Sequence, residues 1–188
     1  LINRFTSYNN MVKVAILLAP GYEPLEATAP ADILRRAGAQ VIFASVGSRT
    51  LSVEGCHGIS LRADKNFNEL DASLFDAIVL PGGLPGATNL AKDVKVVESV
   101  KNHMKNNKIV AAICASPGVV LADACKIVRG KRACSYPGFD DKITENGGTK
   151  VEDKVCVDGK LITSRGPGTA VLFGLAIAEA LFGKEKAT

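Results

Sequence analysis

The apolar residues of this chain are grouped into short continuous runs that alternate with amphipathic segments. The runs cover residues 12–18, 41–46, 77–80 and 109–113. Nearly unbroken apolar runs of this length are typical of parallel strands that are buried on both faces of a sheet. Shorter strands are predicted over residues 132–135, 155–157 and 161–163.

Helices are predicted in the intervening segments. The first begins near Pro24, because proline is favoured in the first turn of a helix, and ends at Arg36 before a glycine. The last begins after Gly166-Pro167-Gly168, ends at Gly183 and is apolar almost all round. Such a helix has to be covered by the sheet or by a partner.

A third helix is predicted over residues 93–106, where apolar and polar positions alternate with helical spacing. Its inward positions are expected to be Val94, Val97, Val100 and Met104. Residues 47–61 instead alternate short apolar pieces with glycines, which indicates a small β-ribbon. The whole pattern predicts an α/β fold with a doubly wound, mostly parallel sheet flanked by helices.

The length of 188 residues fits one domain, which we assign to residues 11–188. Residues 1–10 are polar and contain no acid, and we interpret them as a leader, a tag or the remnant of a transit peptide. A net charge of +4 with scattered lysines gives no basis for nucleic-acid binding. The apolar run 170–182 is too short to span a membrane.

The five cysteines are odd in number and lack CxxC spacing, which favours free thiols in a reducing compartment. We therefore expect a cytoplasmic protein, or an organellar one if residues 1–10 are a transit remnant. Four of the cysteines are interpreted as packing residues or secondary oxidation sites: Cys56, Cys125, Cys134 and Cys156. Neither a metal site nor a cofactor is predicted, because Cys56-His57 lacks further ligands.

Cys114 is the candidate nucleophile. It follows the buried run 109–113 directly and precedes a short helix, so a sharp strand–turn–helix connection would lift its side chain above the sheet. The helix N-terminus would favour the thiolate. The alternative is a buried structural cysteine, and the local sequence alone favours neither interpretation.

Two neighbouring loops offer groups that support a reactive cysteine. Backbone N–H groups of Gly82, Gly83 and Ala115 are candidates for an oxyanion hole. Glu26 lies in the first turn of the helix after the first strand, and Pro30 removes the N–H that its carbonyl would bind. We expect the resulting bend to turn Glu26 into the cleft, although a solvated first-turn acid is the simpler interpretation.

Three motifs of this chain resemble the ThiJ/PfpI superfamily, and within it the subfamily of the parkinsonism-associated protein deglycase. The motifs are Val-Leu-Pro-Gly-Gly at 79–83, Ala-Ala-Ile-Cys-Ala-Ser-Pro at 111–117 and Thr-Ser-Arg-Gly-Pro-Gly-Thr at 163–169. The resemblance implies a flavodoxin-like fold and a homodimer. It also implies that Cys114 is an oxidation-prone nucleophile and that a protonated Glu26 donates a hydrogen bond to its sulfur.

One position departs from some members of that superfamily. They have a histidine near the cysteine, whereas the matching segment here, 135–138, has Tyr136. Glu23, Tyr136 and Pro167 are assigned to the substrate cleft. The histidines are expected away from it, His103 on a solvated helix face and His57 in the ribbon.

Three classes of function are compatible with this site. The resemblance favours a cofactor-independent glyoxalase and protein deglycase, acting on methylglyoxal, glyoxal or their early adducts with proteins, in carbonyl and oxidative stress. The second class is a redox-sensing chaperone that responds through oxidation of Cys114. The third, a cysteine peptidase or amidotransferase, ranks last because it needs a histidine base.

Overall fold

The computed structural model describes residues 11–186, so the predicted leader over residues 1–10 lies outside the described residues. The strands are β1 (Lys13–Leu18), β2 (Gln40–Ser45), β3 (Ser52–Glu54), β4 (Ser60–Arg62), β5 (Lys65–Asn66), β6 (Ala77–Leu80), β7 (Ile109–Ile113), β8 (Arg132–Ala133), β9 (Thr149–Lys150), β10 (Val155–Asp158) and β11 (Leu161–Ser164). The α-helices are α1 (Pro24–Arg36), α2 (Gly86–Lys92), α3 (Val94–Lys105), α4 (Asp141–Glu145) and α5 (Ala170–Phe182). A π-helix covers Pro117–Ala124.

Seven strands form one sheet in the order β10-β11-β7-β6-β1-β2-β5. All neighbours are parallel except β10 and β11, which form an antiparallel hairpin. The chain leaves β1 toward β2 on one side and returns on the other side with β6. Such a reversal of strand order leaves a crevice at the carboxyl ends of the two strands, where ligands bind in doubly wound folds. The predicted α/β flavodoxin-like fold is confirmed.

Two layers of helices cover the sheet. On one face, α1 and α5 pack against the sheet and against each other, with Leu34, Phe173 and Ile177 fully buried. On the other face, α3 and the π-helix cover Ile78 and Leu80. The apolar last helix is therefore covered mainly by α1 and the sheet.

The inward face of α3 differs from the predicted one. The buried residues of this helix are Val96, Ser99, Val100 and His103, whereas Val94 is exposed. The prediction counted apolar side chains only. The helix is rotated so that a serine and a histidine are buried, and the backbone carbonyl of Ser99 accepts a hydrogen bond from the imidazole Nδ1 (3.0 Å). The expectation of a solvated His103 was wrong.

The small β-ribbon is present as the antiparallel pair β3–β4. It packs at the crevice, since Gly21 N–H donates to the Glu54 carbonyl (2.8 Å) and Cys56 N–H donates to the Tyr22 carbonyl (2.9 Å). The strand predicted over 132–135 is short and pairs with β9 outside the main sheet. Among residues 11–186, no helix combines the length and the apolar character needed to cross a bilayer.

Candidate active site

Cys114 is held in a left-handed backbone conformation at the carboxyl end of β7, with φ at 65°. This conformation is costly for a residue with a side chain and persists only where its surroundings fix it. Here the Cys114 N–H donates to the Ser164 carbonyl (3.0 Å). Its carbonyl accepts from the Ser135 hydroxyl (2.6 Å) and from the Tyr136 N–H (2.8 Å). The predicted strand–turn connection is present, and the cysteine is half-buried.

Glu26 reaches the same crevice from the first turn of α1 and is fully buried. Its Oε2 accepts a hydrogen bond from the Gly82 N–H (2.8 Å). Its Oε1 is buried and has no conventional hydrogen-bond partner among the described residues, while the carboxyl interacts with the Cys114 sulfur. The expectation of an inward-facing acid therefore agrees with the geometry, and a solvated acid does not.

Burial raises the pKa of Glu26 from 4.5 to about 7, and the Gly82 N–H only partly opposes this shift. In a site that removes water from both oxygens, the neutral carboxylic acid is favoured over the charged carboxylate. At neutral pH, Glu26 therefore carries a proton in a large fraction of the molecules. That proton is available to the neighbouring sulfur.

The Cys114 thiol does not gain an acidic pKa from the helix that follows it, contrary to the prediction. Burial and the carboxylate form of Glu26 raise its pKa to about 12, against the lowering effect of the Gly83 and Ala115 N–H groups. A carboxylate and a thiolate that lie side by side repel each other. Once the pair has lost one proton, the two groups share the other, and a thiolate forms only beside a protonated Glu26.

Gly82 sets the close approach of these two side chains. A Cβ at this position would lie 2.6 Å from the Cys114 Cβ and 2.8 Å from the Glu26 Oε2. Its N–H is directed to Glu26, so it is engaged there rather than free for an oxyanion. The N–H groups of Gly83 and Ala115 act on the Cys114 sulfur, and their role as oxyanion donors stays a prediction.

The three predicted cleft residues occupy two places. Glu23 caps helix α1, because its Oε2 accepts from the Glu26 N–H (2.8 Å), and so helps to orient the acid. Tyr136 and Pro167 line one pocket of about 360 Å³ together with Arg165. The Tyr136 N–H that binds the Cys114 carbonyl places this pocket next to the cysteine.

Ser116 and Ser135 were missed as site residues by the sequence analysis. The Ser116 hydroxyl donates to the Pro81 carbonyl (2.6 Å) and ties the cysteine loop to the glycine loop. The Ser135 hydroxyl fixes the Cys114 carbonyl. Small polar residues beside a candidate nucleophile are the only signal in the sequence, and it does not distinguish a positioning residue from a turn residue.

Neither histidine acts on the sulfur of Cys114. His57 is exposed in the turn of the β3–β4 ribbon, and His103 is bound to Ser99 within α3. Within residues 11–186, no group of three or more histidine, cysteine, aspartate or glutamate side chains is arranged to hold a metal ion. The acid and the thiol are therefore the titratable pair of this site.

Comparison with known proteins identifies the family of this chain. The model of the DJ-1/PfpI family matches residues 12–180. Protein DJ-1 homolog A of Arabidopsis thaliana is 44% identical over 174 residues, which is 93% of this chain and 44% of that protein. The chain spans less than half the length of this relative and of the Arabidopsis homolog B, of which it covers 41%.

Shorter relatives match over most of their length. Glutathione-independent glyoxalase DJR-1.2 of Caenorhabditis elegans is 38% identical, covering 93% of this chain and 91% of that protein. A deglycase of Pyrococcus abyssi is 35% identical, covering 84% and 92%. The solved structure of oxidized Toxoplasma gondii DJ-1 is similar with a TM-score of 0.88 and 39% identity over 94% of each chain. The chain belongs to the DJ-1/PfpI family.

Proposed function

We propose that this protein is a cofactor-independent, cysteine-dependent glyoxalase and protein deglycase. Its substrates would be methylglyoxal, glyoxal or their early adducts with proteins, and its role would lie in carbonyl and oxidative stress. The observation that carries this proposal is the fully buried Glu26 carboxyl beside the Cys114 sulfur, with a pKa of about 7. The names of the nematode and archaeal relatives support the same chemistry.

The reaction begins when Glu26 holds the shared proton and Cys114 is the thiolate. The sulfur attacks the aldehyde carbon of methylglyoxal, and the carbonyl oxygen becomes an oxyanion held by the Gly83 and Ala115 N–H groups. Glu26 gives its proton to this oxygen, which completes a hemithioacetal. A half-buried sulfur and a fully buried acid suit a small substrate that enters beside the acid.

Proton transfer between the two substrate carbons then uses the same acid. The Glu26 carboxylate removes the hydrogen of the former aldehyde carbon and returns it as a proton to the neighbouring carbon, while the hydroxyl proton of the hemithioacetal passes to the ketone oxygen. The ketone thereby becomes a hydroxyl and the first carbon a thioester. Water cleaves the C–S bond, releases lactate and restores the Cys114 thiol. The net reaction adds one water to methylglyoxal, with no external oxidant or reductant.

Lactate production from methylglyoxal tests this proposal. Cys114→Ser should abolish turnover, and Glu26→Gln should lower kcat by about 10²–10⁴-fold, the usual contribution of a general acid–base group. Cys125→Ser is the control, because Cys125 is buried under the other face of the sheet. Equal lactate production by all four proteins would disprove the proposal.

A redox-sensing chaperone is the second candidate, and the donors around the sulfur favour it. The Gly83 and Ala115 N–H groups and a protonated Glu26 are placed to bind the oxygens of a cysteine sulfinate. This role predicts no turnover of methylglyoxal and a peroxide-dependent mass gain of about 32 Da, two oxygens, at Cys114. A peptidase ranks last because no histidine acts on the sulfur.

We infer that the protein works as a homodimer in a reducing compartment, the cytoplasm or, if residues 1–10 are a transit remnant, an organelle. The free cysteines support a reducing compartment. The dimer is supported by apolar side chains left exposed on the α1–α5 layer. These are Leu25, Val171 and Leu172, with exposed fractions of 50%, 57% and 45%. One domain over residues 11–188 is proposed as the unit of this assembly.

A further inference from the structure

Cys134 and Cys156 form a pair of buried thiols that the proposed reaction does not use. Their exposed fractions are 0% and 2%, and both are free. Cys134 directly follows β8, whereas Cys156 lies on β10 at the edge of the main sheet. The two residues come from separate segments that the fold brings together.

Thr163 shows that the two side chains lie on the same side of the sheet. In the β10–β11 hairpin, Thr163 is paired directly with Cys156. Side chains of such cross-strand partners point to the same face, with Cβ atoms about 4.5–5.5 Å apart. The Thr163 Oγ1 in turn accepts a hydrogen bond from the Cys134 N–H (3.0 Å) and lies 3.6 Å from the Cys134 sulfur.

Strand β8, which Cys134 follows, packs against β10, which carries Cys156. Burial raises the pKa of both thiols; the backbone N–H of Cys156 partly opposes this at Cys134, and the Cys134 thiol adds to it at Cys156. Cys125 provides a contrast. It is buried to the same extent as Cys156, yet it interacts with Lys101 and the Val97 carbonyl rather than with another cysteine.

We propose that Cys134 and Cys156 are a redox-active dithiol that closes to an intramolecular disulfide. Two S–H bonds break and one S–S bond forms, with the loss of two electrons and two protons. Hydrogen peroxide accepts them and becomes two waters, or a diazene accepts them and becomes a hydrazine. Closure requires the two Cα atoms to lie about 4.4–6.8 Å apart.

The pair lies where an oxidant can reach it and where a disulfide would affect the active site. β10 is an edge strand, and edge elements open locally at a lower free energy than central strands. Cys134 is followed at once by Ser135 and Tyr136, which both bind the Cys114 carbonyl. A disulfide would therefore restrain the segment that fixes the nucleophile.

Peptide mapping of the full chain tests the dithiol. The Cys114→Ser protein, in dilute solution, is treated with diamide, unfolded, alkylated and digested with trypsin. The sequence places Cys134 in peptide 133–142 and Cys156 in peptide 155–160, each as the only cysteine. We expect these two peptides to be recovered as one species about 2 Da lighter than their sum, and to separate after reduction with dithiothreitol.

Two further variants in the same background serve as controls. Cys156→Ala should remove the cross-linked species, and Cys125→Ser should retain it. The map of the wild-type chain needs no substitution, so a folding defect in a variant cannot produce a false negative. Recovery of both peptides singly alkylated, or of disulfides that join Cys56, Cys125 or two chains instead, would overturn the proposal, whatever the result of the lactate assay.

Discussion

The chemistry of this site depends on the absence of one side chain. Gly82 separates the Cys114 Cβ from the Glu26 carboxyl, and its N–H is the hydrogen-bond donor that holds the acid. A larger residue would have to displace the nucleophile, the acid or the carbonyl of Ile113, 3.0 Å from the same point. The conformation of the glycine loop is therefore part of the catalytic geometry that we propose.

Gly82→Ala should lower both stability and activity. The added methyl group would lie 2.6 Å from the Cys114 Cβ, and overpacking of this kind costs about 1–3 kcal/mol. Displacement of the sulfur by about 1 Å should lower kcat/KM for methylglyoxal by about 10²-fold. Urea unfolding and the lactate assay measure the two effects.

Gly168→Ala is the matched control for that substitution. A Cβ at Gly168 meets nothing within 4 Å, so the free energy of unfolding should change by less than about 0.5 kcal/mol. If Gly82→Ala retained wild-type stability and kcat/KM, the close packing of Cys114 and Glu26 would not be required.

The raised pKa of Glu26 predicts a pH-dependent stability. Between pH 4.5 and about 7, the folded protein keeps a proton on Glu26 that the unfolded chain has lost. The free energy of unfolding therefore decreases as pH rises through this window. Stability should fall by roughly 3 kcal/mol across it and then stay level with respect to this group.

Glu26→Gln should remove this slope, because an amide does not titrate. Urea unfolding at half-unit steps from pH 4 to about 8.5 gives the difference between wild type and variant. Glu98→Gln, at an exposed carboxyl on α3, should leave the wild-type slope unchanged. Parallel curves for wild type and Glu26→Gln would show that burial does not raise the pKa of Glu26.

At the scale of elements, the contact between α1 and α5 depends on Gly174. A Cβ there would lie 2.9 Å from the Pro30 Cα and 2.8 Å from the Ile33 Cδ1. The two helices approach closely over this glycine, and α1 carries Glu26 at its first turn. Packing far from the sulfur therefore supports the position of the acid.

Gly174→Val should lower the free energy of unfolding by about 1–3 kcal/mol, because the backbone of Pro30 cannot move aside as a flexible side chain would. Chemical unfolding followed by circular dichroism measures this loss. Val171→Ala on the exposed side of the same helix should change stability by about 0.5 kcal/mol or less. Equal stability of the two variants would show that the helices do not meet at Gly174.

At the scale of the whole molecule, the exposed apolar side chains of the α1–α5 layer bear on assembly. Val171→Arg should shift the proposed dimer toward monomer, because the symmetry of a homodimer would bury the new charge twice. Sedimentation velocity over a range of protein concentrations measures the shift. Val94→Arg is the control, since Val94 is 69% exposed on α3 on the opposite face of the sheet. A wild-type chain that sediments as a monomer at every concentration would contradict the dimer.

Local signals in the sequence determined the order of the strands and helices in the chain and the edge at which the site forms. Unbroken apolar runs identify buried parallel strands, and the boundaries of α1 follow from its proline and glycine signals. They also identified Cys114 as the residue that leaves β7. The rotation of α3 that buries His103 was not determined in this way. The buried imidazole forms a hydrogen bond to Ser99, and a pattern of apolar positions does not register such a bond.

Only the tertiary structure decided what surrounds the sulfur. Glu26, Gly82 and Cys114 are far apart in the chain, and the interaction of one acid, one N–H and one thiol depends on distances that no local pattern encodes. The helix N-terminus suggested an acidic thiol, yet burial and a neighbouring carboxyl dominate its pKa. Such electrostatic effects depend on desolvation and on charge separation, both of which exist only once the chain is folded.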